Sequence, residues 1–203
     1  MIVVPRTGVR GGPQTRAKIA GVASGLFVER GFDAVTVADV AREAGVSSVT
    51  VFKHFPRKED LFFDRQAEAE DLLRTALRER GPGDDVLALL CDLVVGLADD
   101  RHPLSGLADG AGSFFETVAG SPSLANRARE IGSTLQQALT EELERQPAYP
   151  GDVSLLAAFF IAGYAAVLVQ TARDRLAGQP IDTVADAHRD RLRRLDEALR
   201  DGV

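Results

Sequence analysis

Hydrophobic residues recur three and four positions apart along nearly all of the chain after residue 14, and this spacing places them on one face of an α-helix. No run alternates apolar and polar residues as a half-buried strand does, so the pattern predicts an all-α fold. Helices are predicted over about 15–30, 37–44, 48–55, 61–79, 84–99, 124–146, 152–177 and 182–201, with short helices and bends over 101–123.

The second and third predicted helices are short and are separated by a tight turn. Thr36 and Asp39 have the spacing of a capping box that begins a helix, and Gly45 permits the positive φ that a sharp turn needs. Ser47 is placed to cap the next helix, which Pro56 ends. This arrangement is typical of a helix-turn-helix, although an αα-hairpin in an ordinary helical protein gives the same pattern.

Small polar and basic side chains lie on the outer face of the third predicted helix. In a helix-turn-helix this face enters the major groove of DNA, where hydroxyls bind phosphates or bases and Val49 can touch a thymine methyl. Lys53 and His54 can reach bases or phosphates, and Lys58 is placed to anchor a phosphate. Two of these residues have an alternative role that does not involve DNA: Ser47 as a helix cap alone, and His54 as a ring packed within the protein.

The charge of the chain is divided unevenly along its length. The formal net charge is −6. Residues 1–58 contain nine Lys/Arg and four Asp/Glu, a net of +5, whereas residues 59–203 contain 15 Lys/Arg and 26 Asp/Glu, a net of −11. This asymmetry predicts a basic module that meets a polyanion and an acidic body that does not.

Residues 15–63, above all TVADVAREAGVSSVTVFKHFPRKEDL over 36–61, resemble the DNA-binding domain of TetR-family transcriptional regulators. The turn glycine, the capping serine, a hydrophobic pair and a trailing lysine all fall at the family's spacing. One position departs from it: the family usually has tyrosine where this chain has Phe52, so the usual hydrogen bond from a phenol to a phosphate cannot form. Phe52 is left to pack on a sugar or a thymine methyl.

The resemblance implies a three-helix DNA-binding domain followed by a larger helical bundle. The expected divisions are a flexible arm over 1–14, the helix-turn-helix domain over 15–60, and a ligand-binding and dimerisation domain over 61–203. The predicted DNA contacts are Thr36, Ser47, Ser48, Val49, Thr50, Phe52, Lys53, His54 and Lys58.

The resemblance also implies that the last two helices pair with their copies in a second chain to form a four-helix bundle. Alanines in the 152–177 helix permit the close approach of a neighbouring helix, and its nearly all-round apolar composition predicts burial on several sides. A monomer whose final helices cover only their own core is the alternative. The predicted interface residues are Ala158, Ala162, Ala165, Leu192 and Leu195.

A small effector is expected to bind among the middle helices, in a pocket with mostly apolar walls and a few polar groups. For each candidate side chain the pattern favours the alternative, an ordinary core or surface residue. The candidates are Cys91, Phe114, Phe115, Glu116, Leu135, Gln136, Phe160 and Tyr164.

Several other classes of protein are not indicated. The single cysteine cannot form an intramolecular disulfide, and the first residues lack the pattern of a signal peptide. The apolar segment 153–169 is better interpreted as a core helix than as a membrane span. We therefore expect a cytoplasmic protein. The three histidines are widely spaced, and patterns of metal, nucleophile or phosphate-loop sites are absent. We therefore expect no enzyme activity and no cofactor.

The sequence favours a homodimeric repressor that binds double-stranded DNA at a palindromic operator and leaves it when a small, mostly apolar effector binds. One alternative is a ligand-independent regulator whose body only dimerises or binds a partner. A remote alternative is a helical small-molecule-binding protein or an enzyme.

Overall fold

The computed structural model describes residues 12–79, 81, 83–145 and 151–202. Within these residues the chain forms ten α-helices and one 3-10 turn and no strand, which confirms the all-α prediction. The structure divides into two compact units, one ending at Asp64 and one beginning at Arg65.

The first unit contains four helices around a small apolar core. They are α1 (Gly12–Arg30), α2 (Val37–Glu43), α3 (Ser48–His54) and α4 (Lys58–Phe62). Residues 12–14, which the sequence predicts in the flexible arm, lie in the first turn of α1, and residues 1–11 of that arm are outside the described residues. Gly31 and Gly45 have φ of +81° and +65°, the left-handed conformation in which glycine ends a helix without strain.

The predicted single helix over 61–79 is wrong, because the chain bends between Phe62 and Gln66. Phe63 has φ −96° and ψ 49°, outside the helical region. The bend lets the ring of Phe62 join Phe27 and Phe32, at centroid distances of 6.1 and 5.9 Å. Tertiary packing of the aromatic rings therefore outweighs the continuous helical pattern of the sequence.

The second unit is a bundle of six helices. They are α5 (Gln66–Arg78), α6 (Val86–Asp99), α7 (Ala111–Gly120), α8 (Pro122–Glu144), α9 (Val153–Leu176) and α10 (Ile181–Gly202), with the 3-10 turn at Pro103–Ser105. Helix α9 packs against α7, α8 and α10, while α5 packs against α6 and α8. Leucines from α5, α6, α8, α9 and α10 form half of the buried core, and valines, alanines, Phe160 and Leu107 form the rest.

Helix α9 is buried on one face only, so the expected burial on several sides does not hold within one chain. Its inner face carries fully buried residues such as Leu156 and Phe160. The opposite face is exposed and apolar, with Phe159 48% exposed. We call this face the α9 stripe, formed by Leu155, Phe159, Ala162, Ala166, Val169 and Leu176.

The length and composition of α9 also satisfy the criteria for a membrane span. Core helices of soluble proteins satisfy the same criteria. A helix of this length and composition is therefore found both in membranes and where protein covers its apolar face.

Gly163 of α9 allows α10 to approach closely, because a Cβ at this position would overlap Cδ1 of Leu195. Gly132 of α8 has open space around it and serves as a matched control. We expect Gly132→Ala to raise the free energy of unfolding by about 0.5–1 kcal/mol through helix propensity. Gly163→Ala should lose this gain and fall about 1–2 kcal/mol below the control, because Leu195 must move. Urea unfolding of both variants measures the difference, and equal stabilisation would show that the α9–α10 contact adapts freely.

Candidate functional site

Helix α3 presents one exposed face and one buried face. Val49 is 78% exposed, and Phe52 and Lys53 lie beside it at the next helical positions, also exposed. On the other side Val51 and Phe55 are buried in the core of the first unit. The outer face is therefore free to contact another molecule.

The N-terminus of α3 is fixed by two hydroxyl groups. Oγ of Ser47 accepts a hydrogen bond from the backbone N–H of Thr50 at 3.1 Å, and the hydroxyls of Ser47 and Thr50 lie 2.9 Å apart. Ser47 is thus a helix cap, as one of the two interpretations of the sequence predicts. Ser48 is half-buried beside it.

Helix α2 begins with the predicted capping box. The backbone N–H of Asp39 donates to Oγ1 of Thr36 at 3.1 Å, and the backbone N–H of Thr36 donates to Oδ2 of Asp39 at 3.0 Å. The hydroxyl of Thr36 also donates to that carboxylate, at 2.6 Å. Hydrogen bonds from the Thr36 side chain and backbone lower the pKa of Asp39 to about 2, so Asp39 is ionised at neutral pH.

Two of the predicted cationic or polar contacts are partly engaged within the first unit. Nζ of Lys58 lies 4.1 Å from the ring centroid of Phe32, and burial lowers the pKa of this lysine. The ring of His54 is half-buried, and its backbone carbonyl accepts a hydrogen bond. Lys53 is exposed.

Sequence reasoning missed two basic residues of α1. Arg16 donates to the carbonyl of His54, at the end of α3. Nζ of Lys18 is 3.9 Å from the position that a Cβ of Gly45 would occupy, at the turn between α2 and α3. One signal was available: Arg16 lies three and four positions before the buried Ile19 and Ala20, so it is an arginine on the inward face of its helix.

Helices α2 and α3, two short capped helices, lie in the part of the chain that matches a known family. Residues 19–64 match the family model described as bacterial regulatory proteins, tetR family. The chain carries a TetR-family DNA-binding domain.

One relative and two solved structures are similar to this chain over most of its length. The chain is 26% identical to nucleoid occlusion factor SlmA of Salmonella typhi over 157 residues, which is 75% of this chain and 79% of that protein. Its fold is similar to that of a TetR-family regulator from Streptomyces coelicolor, with TM-score 0.61, 23% identity, and coverage of 96% and 99% of the two chains.

A second structural neighbour is NalD of Pseudomonas aeruginosa, described as the secondary repressor of the MexAB-OprM multidrug efflux pump. The TM-score is 0.55 at 22% identity, with 89% of this chain and 96% of that chain covered. At these identities the two structures show that this chain shares their fold.

The second unit brings only some of the predicted effector contacts near one another. The ring of Phe115 lies against Gly106, and the hydroxyl of Tyr164 donates to the carbonyl of Leu104 at 3.1 Å. Both therefore lie at the 3-10 turn, and the ring of Phe114 packs edge-on against Phe115 at 5.7 Å.

The remaining candidates lie elsewhere or face solvent. Sγ of Cys91 on α6 donates to Oδ1 of Asp196 on α10 at 3.4 Å, and burial is the main cause that raises the pKa of this thiol to about 12. Phe160 is a fully buried core residue, and Leu135 packs against the same core. Gln136 is half-buried and Glu116 is exposed.

The predicted dimer contacts divide between α9 and α10. Ala162 and Ala165 are exposed on α9, and Ala158 is half-buried. Leu192 is buried in the core of its own chain, and Leu195, which is half-buried, packs against Gly163, so both leucines make contacts within their own chain. The reason is that the apolar stripe of α10 faces α6 and α9 of the same chain, which leaves its charged side outside.

The second unit contains one buried histidine, His188 of α10. The hydroxyl of Thr171 donates to the carbonyl of Val167 at 3.0 Å, so Nδ1 of His188, 2.8 Å from that hydroxyl, must be the donor to it. Burial, and then the charge of Arg191, lowers the pKa of His188 to about 4, so the ring is neutral at pH 7. Within the described residues no three His, Cys, Asp or Glu side chains are grouped as metal ligands.

Proposed function

We propose that this chain is a cytoplasmic, homodimeric repressor that binds a palindromic operator and is released from it by a small, mostly apolar effector. The observation that carries the DNA-binding part is helix α3, whose buried Val51 and Phe55 orient Val49, Phe52 and Lys53 outward. The positive charge of residues 1–58 supports the same conclusion, because phosphate neutralisation supplies most of the affinity for DNA.

In this proposal the residues of α3 divide into those that position the helix and those that read bases. Lys53 and Thr50 contact bases or phosphates, and Val49 and Phe52 supply apolar contact with thymine methyls or sugars. Thr36, Ser48, His54 and Lys58 add contacts around this face, the last two through groups that also pack within the unit.

Dimerisation is supported by the α9 stripe, an exposed apolar surface of a kind that marks interaction sites. Two-fold symmetry would place two copies of α3 about 34 Å or a multiple of it apart, which matches half-sites of a palindrome. The proposed interface consists of the α9 stripe with Ala158 and Ala165, and it excludes Leu192 and Leu195.

The effector part of the proposal rests on the apolar middle of the second unit. Phe114, Phe115 and Tyr164 around the 3-10 turn form the most compact group of candidates. An effector of this kind acts only if it binds one conformation of the dimer more tightly than the other, so that the population with low operator affinity increases.

The DNA-binding proposal is tested with a duplex that the wild-type chain selects from a random DNA pool. We expect the double variant Thr50→Ala, Lys53→Ala to bind this duplex about 10- to 100-fold more weakly, through the loss of base or phosphate contacts. If Lys53 contacts a phosphate, the slope of log affinity against log salt should also fall by about 0.9.

Arg30→Ala is the control, because it removes an exposed cation of the same unit at the end of α1. It should keep affinity for the selected duplex nearly unchanged. Failure of the wild-type chain to select any duplex at low salt would contradict the proposed function, and equal affinity of the double variant would contradict the role of α3.

A second candidate is a ligand-independent regulator whose body binds a partner. The similarity to SlmA favours it, since that protein is described as a nucleoid occlusion factor. A screen of small apolar compounds distinguishes the two: a compound that raises the melting temperature and releases the selected duplex supports the effector, and a screen without any such compound favours the partner-binding body.

A further inference from the structure

Arg16 connects three parts of the first unit through one guanidinium group. Its Nη1 donates to the backbone carbonyl of His54 at 2.6 Å, and its Nη2 donates to the backbone carbonyl of Asp64 at 3.0 Å. The guanidinium carbon lies 4.0 Å from the ring centroid of Phe55. The side chain is half-buried, so these contacts are only partly screened by water.

Each of these contacts falls at a position that determines where α3 lies. His54 is the last residue of α3, and its carbonyl is one of those at a helix end that have no partner within the helix. A cation there is also favoured by the helix dipole. Phe55 is the residue that ends α3 and anchors it in the core, where it is 1% exposed.

The carbonyl of Asp64 marks the point where the chain leaves the first unit, since the second begins at Arg65. The bend after α4 leaves this carbonyl available to Arg16. One side chain of α1 therefore holds the end of α3 and the exit of the chain at the same time.

We infer that Arg16 is a positioning residue for DNA recognition. It fixes the end of α3 against α1 and against the chain at Asp64, so that Val49, Phe52 and Lys53 reach the groove in the correct orientation. This inference rests on the proposed DNA-binding function. Through Arg16, the conformation of the chain at Asp64 therefore helps to determine the position of α3.

Arginine is required for this role, because its planar fork donates to two separate carbonyls while it stacks on a ring. Lysine carries the same charge on a compact ammonium and cannot do all three. If Arg16 instead contacted a phosphate directly, lysine would replace it well, since a single cation is enough for that contact. The two roles therefore differ in their response to Arg16→Lys.

The experiment compares Arg16→Lys, Arg16→Gln and the control Arg30→Gln in the full chain. Affinity for the duplex selected by the wild type is measured from 50 to 300 mM salt, circular dichroism establishes the folded fraction, and hydrogen exchange reports on residues 48–55. We expect both Arg16 variants to bind about tenfold more weakly, with an unchanged salt slope, faster exchange in α3 and a fully folded chain. Arg30→Gln should behave as the wild type.

Three results would overturn the inference. Near-wild-type affinity of Arg16→Lys, with a salt slope reduced by about 0.9 in Arg16→Gln, would identify a phosphate contact instead. Unchanged affinity of both folded variants would show that the three contacts only stabilise the unit. A loss of affinity that matches the loss of folded fraction would also show that the contacts of Arg16 only stabilise the first unit. If the wild type selects no duplex, the proposed function itself fails.

Discussion

Phe159→Glu should convert the proposed homodimer into a monomer and abolish its tight binding to the operator. Phe159 lies in the α9 stripe and is 48% exposed in a single chain. In a two-fold dimer that buries this stripe, each copy would place a carboxylate in an apolar interface, where the desolvation of its charge is unfavourable. The one cation at the same helical spacing, Arg173, lies 14 residues further along α9, about 21 Å from Phe159.

The effect on DNA binding should be larger than that of any single contact of α3. Two linked recognition helices gain about 10²–10⁴ in affinity over one, because the second half-site is bound intramolecularly. We therefore expect a loss of at least about 100-fold for a palindromic duplex and little loss for a single half-site. Sedimentation equilibrium and fluorescence anisotropy measure the two effects in the same samples.

Ala119→Glu is the matched control, because it adds the same charge at an exposed position of α7, outside the stripe. It should remain dimeric and bind the palindrome as the wild type does. A Phe159→Glu protein that stays dimeric would place the interface elsewhere, and a monomeric wild type would contradict dimerisation altogether.

The helix-turn-helix could be predicted from sequence because its determinants are local. The capping box of Thr36 and Asp39, the cap at Ser47 and the positive φ of Gly45 each involve residues at most three positions apart. The burial of Val51 and Phe55 follows the helical period directly. These features are confirmed in the structure.

Features that depend on distant residues could not be predicted. The break between α4 and α5 results from aromatic packing of Phe62 with Phe27 and Phe32. The role of Arg16 depends on carbonyls 38 and 48 positions away. Periodicity indicates that a side chain faces inward, but it does not identify the group that it meets.

Helices α9 and α10 show the same limit for interfaces. An apolar face of either helix can be covered by the same chain or by a second copy, and the sequence pattern is identical in the two cases. The structure assigns the face of α10 with Leu192 to its own core and leaves the α9 stripe uncovered. The effector candidates have the same ambiguity, because the apolar residues that line a pocket and those that fill a core have the same composition.

The largest expected effect on stability concerns Glu142 of α8, a buried carboxylate that is 3% exposed. Its two oxygens accept hydrogen bonds from Nε and Nη2 of Arg78 on α5, both at 3.1 Å. Oε2 also accepts from Nη1 of Arg145 at 3.1 Å and from Nη1 of Arg74 at 3.5 Å. The bonds from Arg74 and Arg78 join α5 to α8, and the bond from Arg78 is the main cause that lowers the pKa of Glu142.

Glu142→Gln should lower the free energy of unfolding of the second unit by about 2–3 kcal/mol at pH 7. This loss is smaller than for a fully buried ion pair, because Arg78 and Arg145 are themselves half-exposed. The control Glu144→Gln, an exposed position at the end of the same helix, should change it by less than about 0.5 kcal/mol. Folding lowers the pKa of Glu142. Glu142 therefore contributes its full stabilisation above the pKa of the unfolded state, about 4.3, and loses it as the pH falls through the lower pKa of the folded state. In urea unfolding, the free energies of unfolding of wild type and Glu142→Gln should therefore differ strongly at pH 7 and less near pH 3. An equal difference at the two pH values would show that the charge of Glu142 contributes nothing to stability.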